Sequence, residues 1–106
     1  MPNKYYLFFN LLATPVRMEI ISLLKERGTM SVGEICLAIH EEQSKISHNL
    51  GKLLMCKVVN VRQEKNFRYY SLNEETMIPM LKLIDQHASS CCGVCKRLTD
   101  RKCNAN

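Results

Sequence analysis

The sequence predicts a mainly α chain with one small β-hairpin, and three observations carry that prediction. Apolar residues recur at helical spacing through the first half of the chain. Two runs rich in β-branched and aromatic residues, VVNVR and FRYYSL, then follow each other closely, and helical spacing returns from Met77. Pro and Gly are sparse enough to read as punctuation.

Each element has its own local reason. Residues 4–12, KYYLFFNLL, form a short apolar segment read as helix. Thr14-Pro15 then supplies an N-cap and a proline at the first helical position, where a missing N–H loses no bond. Val16, Ile20, Leu23 and Leu24 follow at i, i+4, i+7 and i+8, and Gly28 stands where a helix ends. Ser31-Val-Gly-Glu34 spells a capping box, opening a helix of about 32–39 that buries Ile35 and Ile39. Three polar residues, His40, Glu41 and Glu42, lead into a helix of about 43–56 with Ile46, Leu50, Leu53 and Leu54 as its inward stripe. Glu42 is a poor cap, which would let this helix start a residue later. Two helices joined by so short a turn make a helix-turn-helix. Val58, Val59 and Val61 mark a strand, Gln63-Glu-Lys-Asn66 a hairpin tip, and FRYYSL the returning strand. A last helix carries Met77, Leu81, Ile84 and Ala88, and Pro79 either starts or kinks it. The order ααααββα is that of a winged helix-turn-helix.

The chain has 106 residues, enough for one such domain. A winged-helix domain over residues 1–90 and a cysteine-rich tail over 91–106 are expected. Apolar residues make up 46%, which supports a core and excludes a disordered chain. Fifteen Lys and Arg against ten Asp and Glu leave a net charge of +5, unevenly placed. From Gln43 to Leu72 the bases are Lys45, Lys52, Lys57, Arg62, Lys65 and Arg68, and the one acid is Glu64. A basic half beside a near-neutral remainder points to a polyanion, nucleic acid first, although a solvated basic surface would read the same. No run approaches the roughly 18 apolar residues of a membrane span. YYLFFNLLA after Lys4 has the look of a signal sequence, but Asn10 interrupts it and no small-residue cleavage site follows. A cytoplasmic protein with no membrane partner is expected, and in a reducing compartment six cysteines point to metal or thiol chemistry.

On the fourth helix the outward face is Gln43, Ser44, Ser47, His48 and Gly51, with Lys45 and Lys52 beside it. Short hydrogen-bonding side chains suit a helix whose first turns meet base edges in a major groove, and the lysines suit phosphates. On the hairpin, Lys65 and Asn66 at the turn and Arg68, Tyr69 and Tyr70 after it form a basic, aromatic wing. Alternation sends the two tyrosines to opposite faces, so one packs inward. The candidate DNA-binding set is Gln43, Ser44, Lys45, Ser47, His48, Lys52, Lys65, Arg68 and Tyr69. For any one of them a merely solvated side chain is the competing reading.

Taken together, QSKISHNLGKL, the VV strand after it and the RYYSL wing end resemble the arsenic-repressor/metallothionein-repressor (ArsR–SmtB) family of winged-helix regulators. LLATPVRMEIISLL is similar to that family's A-x-P-x-R-x-x-I-x-x-x-L opening, and the resemblance covers about residues 7–90. It implies a homodimer built from the first and last helices, which binds an operator and releases it on an effector signal. It also implies places to look for that effector. A C-x-C pair on the first helix of the helix-turn-helix is replaced by Ser31 and Gly33. A carboxylate-x-histidine site on the last helix is matched by Asp85 and His87, but its completing positions are Leu98 and Arg101. A site at the end of the recognition helix would use Cys56, with Lys52 where its companion belongs. A third pattern, adjacent cysteines at the end of the last helix with a thiol downstream, is matched by Cys91, Cys92 and Cys95.

Those three thiols are the candidate metal ligands. Thiolates select soft ions such as zinc, cadmium or copper(I), and the resemblance adds trivalent arsenic or antimony. Cys91 and Cys95 share a helical face, Gly93 would loosen the helix end for Cys92, and Lys96 and Arg97 favour the thiolate. The ion would be an inducer, and no cofactor is required. A redox or sulfur sensor using the same thiols, or a DNA-binding regulator whose tail is incidental, are the alternatives. Cys92-Gly-Val-Cys95 also spells the C-x-x-C of a dithiol enzyme, but it follows a helix and lacks the βαβ setting, so no enzyme is expected. Cys36 and Cys56 read as small buried apolar residues, and Cys103 as peripheral. Met18, Met77 and Met80 read as core or interface filler, and Tyr5, Tyr6, Phe8, Phe9 and Asn10 as dimer packing.

Overall fold

A computed structural model describes residues 3–90 and Gly93 of the chain, and its helices begin where the sequence places capping groups. Asn3 Oδ1 accepts from the N–H groups of Tyr5 and Tyr6 at 2.8 and 3.0 Å, opening α1, Lys4–Leu12. Thr14 Oγ1 accepts from the Arg17 N–H at 3.2 Å, with Pro15 in the first turn of α2, Pro15–Arg27. Gly28 ends α2 at φ 82°, a conformation that side-chain-bearing residues rarely adopt. The chain bends by 81° between α1 and α2, and among the described residues no single helix is long and apolar enough to cross a membrane.

The capping box forms in full. The Ser31 N–H donates to Glu34 Oε1 at 2.8 Å and the Glu34 N–H to Ser31 Oγ at 3.2 Å, which starts α3, Val32–Ile39. Hydrogen bonding to Ser31, its backbone N–H first, holds the Glu34 carboxyl below the usual carboxylate range. Because the folded-state value is depressed, this contribution is present above the unfolded pKa and fades as pH falls through the folded one. His40, left-handed at φ 63°, ends α3 and starts the turn. The recognition helix α4, Gln43–Met55, begins at Gln43 although Glu42 offers no side-chain cap bond.

The sheet holds one strand more than the sequence suggested. β1, Met30–Ser31, pairs antiparallel with β3, Phe67–Leu72, which also pairs with β2, Val59–Glu64, in the order β1-β3-β2. A two-residue strand leaves no periodicity to read; it exists because Met30 and Ser31 lie opposite Tyr70 and Tyr69. The hairpin tip is also tighter than the expected Gln63–Asn66 loop. Gln63 and Glu64 belong to β2, opposite Arg68 and Phe67, and the turn is Lys65-Asn66 alone. Lys65 takes φ 54°, and a left-handed residue is what lets so short a turn match the strand twist.

The core of the unit that runs to Asn73 gathers Ile20, Ile21 and Leu24 of α2, Ile35 of α3, Ile46, Leu50 and Leu53 of α4, and Val58, Val59, Tyr70 and Leu72 of the sheet. Ile21 takes the place expected of Val16 and Leu23, which are half-buried, because α2 packs on α3, α4 and β3 together and centres its buried face accordingly. Ile39 and Leu54 are likewise half-buried, and Leu54 borders a cleft beside the hairpin. From Glu74 the chain forms a second unit, carrying α5, Met77–Ser90. Pro79 falls in the first turn of α5, where no N–H is needed, so it costs the helix no hydrogen bond. Of the expected stripe only Met77 is buried; Leu81 and Ala88 are half-buried and Ile84 is exposed. Gly93 is itself helical.

One buried polar network links the first unit's helices. Asn49, only 9% exposed, accepts from Arg17 Nε at 2.9 Å and donates through Nδ2 to the Lys45 carbonyl at 2.8 Å. Arg17 Nη1 donates to the Leu11 carbonyl at 2.7 Å. Among the described residues no buried side-chain polar atom lacks a partner. Asn49→Ala removes the acceptor of a charged donor and should destabilise the protein by about 1–3 kcal/mol. The check is a lowered urea midpoint at unchanged m-value; an unshifted midpoint would show that the network contributes nothing to stability.

Candidate nucleic-acid interface

Helical spacing divides α4 into two faces. Ile46, Asn49, Leu50 and Leu53 are buried, which leaves Gln43, Ser44, Ser47, His48, Gly51 and Lys52 exposed. Gln43, Ser47 and Gly51 form one wall of a cleft of about 600 Å³, and Gln63, Asn66 and Arg68 of the hairpin form the facing one. The fold thus brings one part of the candidate set together: Gln43, Ser47 and Arg68. Ser44, His48 and Lys52 lie on the exposed surface of α4 and do not line the cleft. Lys65 sits at the hairpin turn.

Lys45 is exposed, but its ammonium lies 3.3 Å from Glu41 Oε2, one helical turn earlier. Tyr70 is the tyrosine that packs inward; Tyr69 is half-buried on the other face of β3. There the Arg62 guanidinium lies over the Tyr69 ring at 5.7 Å, with its Nε 3.2 Å from Glu64 Oε1, and the Phe67 ring is 6.4 Å from that of Tyr69. The register accounts for this cluster, since Arg62 stands opposite Tyr69 and Glu64 opposite Phe67.

Sequence reasoning missed several of these positions. The sequence places Gln63 in the loop, and only the register with Arg68 puts it in the cleft wall. Charge counting alone gives Arg62 no neighbour. Asn49 and Arg17, which hold α4 to α1 and α2, are 32 positions apart, and no local pattern joins them. The alternation of buried Ile46 and Leu50 around Asn49 was the available signal that this asparagine faces inward.

Two cysteines also differ from expectation. Cys36 is half-buried and Cys56 is exposed, because Cys56 caps the end of α4 beyond its last buried residue, Leu53. Among the described residues no three His, Cys, Asp or Glu gather as a metal site. Cys91, Cys92, Cys95 and Cys103 lie outside the described residues. On α1, Tyr5, Tyr6, Leu7 and Phe9 are all more than half exposed.

Comparison with known proteins agrees with this architecture. The family described as bacterial regulatory protein, arsR family, matches residues 14–61. The chain is 31% identical over 78 residues to the arsenical resistance operon repressor of Escherichia coli K12, covering 74% of this chain and 67% of that one. It is similar to the crystal structure of Rv0081 from Mycobacterium tuberculosis, with a TM-score of 0.74 at 30% identity, over 94% of this chain and 98% of that one. It is also similar to the solution structure of the homodimeric winged helix-turn-helix DNA-binding domain of Mb0332 from Mycobacterium bovis, with a TM-score of 0.69 at 27% identity, over 76% of this chain and 74% of that one. A winged helix whose recognition helix and wing share one cleft, joined to these likenesses, leads to one conclusion: the chain belongs to the ArsR family and is a DNA-binding transcriptional regulator.

Proposed function

We propose that the protein is a homodimeric repressor that releases its operator when a soft metal or metalloid ion binds the thiolates of Cys91, Cys92 and Cys95. The observation that carries the DNA-binding half of this reading is the cleft between α4 and the hairpin, with Gln43 and Ser47 on one wall and Arg68 on the other. In this reading Gln43, Ser44, Ser47 and His48 meet base edges, while Lys45, Lys52, Lys65, Arg68 and Tyr69 hold the sugar-phosphate backbone. Residues 1–90 would do this work and residues 91–106 would carry the sensor. The exposed aromatic face of α1 supports the dimer, as does the homodimeric Mb0332 domain. A twofold pair of recognition helices would then reach successive major grooves about 34 Å apart.

The support for the sensor is chemical. Three crowded thiols are the donor set that soft ions prefer, and the family contains arsenical resistance repressors. An ion held by all three would favour one geometry of the segment and disfavour the DNA-bound dimer. Coupling of this kind amounts to about 1–3 kcal/mol, or roughly 5- to 150-fold in affinity.

Three measurements check the proposal. In a salt titration Arg68→Ala should weaken binding on every sequence and flatten the salt slope by about 0.9, while Gln43→Ala should relax sequence preference by about 1–3 kcal/mol. If both variants bind like the parent, the assignment of the interface is wrong. Gly51 lies in the exposed face of α4, and a Cβ there meets no protein atom within 4 Å. Gly51→Ala should therefore stabilise the fold by about 0.5–1 kcal/mol, and lost DNA affinity in that stabilised variant would report close approach of the duplex to the helix backbone. Finally, arsenite, cadmium or zinc added to the reduced protein should release DNA about 5- to 150-fold, with the protein remaining dimeric by light scattering. A Cys91/Cys92/Cys95→Ser triple variant should keep its DNA affinity and lose the response. Release that persists in that variant sinks the thiolate sensor; release by peroxide or polysulfide alone replaces it with a redox sensor.

A further inference from the structure

Two cations of the basic half carry carboxylates of their own. Lys45 Nζ lies 3.3 Å from Glu41 Oε2, and Arg62 Nε lies 3.2 Å from Glu64 Oε1. Glu64 is the single acid between Gln43 and Leu72, yet it falls within reach of a guanidinium. Glu41 sits one turn ahead of Lys45, on the approach to the recognition helix. Both cations keep more than half of their side-chain surface in water, so a phosphate can reach either without rearrangement of the fold. Pairs this exposed are weak, which makes an exchange of partners feasible.

The wing pair has a further feature. Tyr69, opposite Arg62 in the ladder, holds the guanidinium over its ring at 5.7 Å. The cation therefore stays in place on the wing whether its partner is Glu64 or a phosphate oxygen, and Arg suits a phosphate in geometry as well as charge.

The consequence follows from how proteins bind DNA without regard to sequence. That affinity comes from counter-ions released when cations neutralise phosphates. A cation already matched by a carboxylate gains less on meeting a phosphate, and the displaced carboxylate then faces the duplex with like charge. We propose that Glu41 and Glu64 are internal competitors of DNA phosphate for Lys45 and Arg62. They hold down binding to arbitrary DNA, and Arg62 is a phosphate-contacting residue on the wing. This rests on reading α4 and the hairpin as the DNA-facing surface.

The test measures binding of the full chain to a mixed-sequence duplex by fluorescence anisotropy, between about 50 and 200 mM salt. Glu41→Gln and Glu64→Gln should each tighten binding by about 1.5- to 5-fold, the range set by exposed ion pairs, and steepen the salt slope by about 0.9. Lys45→Ala and Arg62→Ala should weaken binding. Glu19→Gln on α2, the same change in net charge away from both pairs, should leave affinity and slope close to the parent. An equal gain from Glu19→Gln would overturn the proposal in favour of net charge alone. No gain from Glu41→Gln or Glu64→Gln, with Lys45→Ala and Arg62→Ala still weakened, would overturn the competition and leave the interface standing. If the two alanine variants also bind like the parent, the interface reading itself fails.

Discussion

Arg17 is the residue on which the geometry of the recognition helix depends. Its guanidinium bonds the last turn of α1 through the Leu11 carbonyl and the middle of α4 through Asn49, while its own N–H takes the cap of α2. Hydrophobic packing brings α2 and α4 together but is non-directional and tolerates sliding. Hydrogen bonds from one rigid guanidinium do not. A shift of α4 along its axis would part Arg17 Nε from Asn49 Oδ1, the bond between the two helices, a loss that favours one register. The rest of the surface, from the placing of Gln43 and Ser47 to the cleft facing Arg68, inherits that register.

What was legible in the sequence is what local chemistry decides. Thr14-Pro15, Gly28 and the Ser31–Glu34 box marked helix ends because their bonds close within a few residues. Tyr69 and Tyr70 parted to opposite faces because a strand alternates regardless of its partners. Two of the misses depend on residues far apart in the chain. β1 exists only through its pairing with β3, and the network of Arg17 and Asn49 spans 32 positions. The hairpin tip shrank from four residues to two because Lys65 accepts a left-handed backbone that its residue type does not announce. Cys56, read as buried from its apolar character, is exposed because it follows the last inward turn of α4.

The same distinction applies to charge. Counting cations from Gln43 to Leu72 suggests six equivalent phosphate contacts, whereas the fold sorts them by neighbours. Arg62 and Lys45 sit beside carboxylates, Lys65 crowns the turn, and Arg68 faces α4 across the cleft. Composition alone gives the sign of the field, and side-chain placement decides which charges are spoken for before any ligand arrives.

Ser31 joins two elements in a single residue. It ends β1, paired with Tyr69 on the wing strand, and it is also the N-cap that starts α3. No linker separates the sheet from the helix-turn-helix, so a rotation of the wing relative to α3 would have to break either the strand pairing or the capping box. The hinge that a flexible wing would need is therefore absent at this joint, and the wing has the kinematics of a bracket. A regulator built this way ties the base of its wing strand directly to the start of α3, so a disturbance at either is felt by the other through one residue.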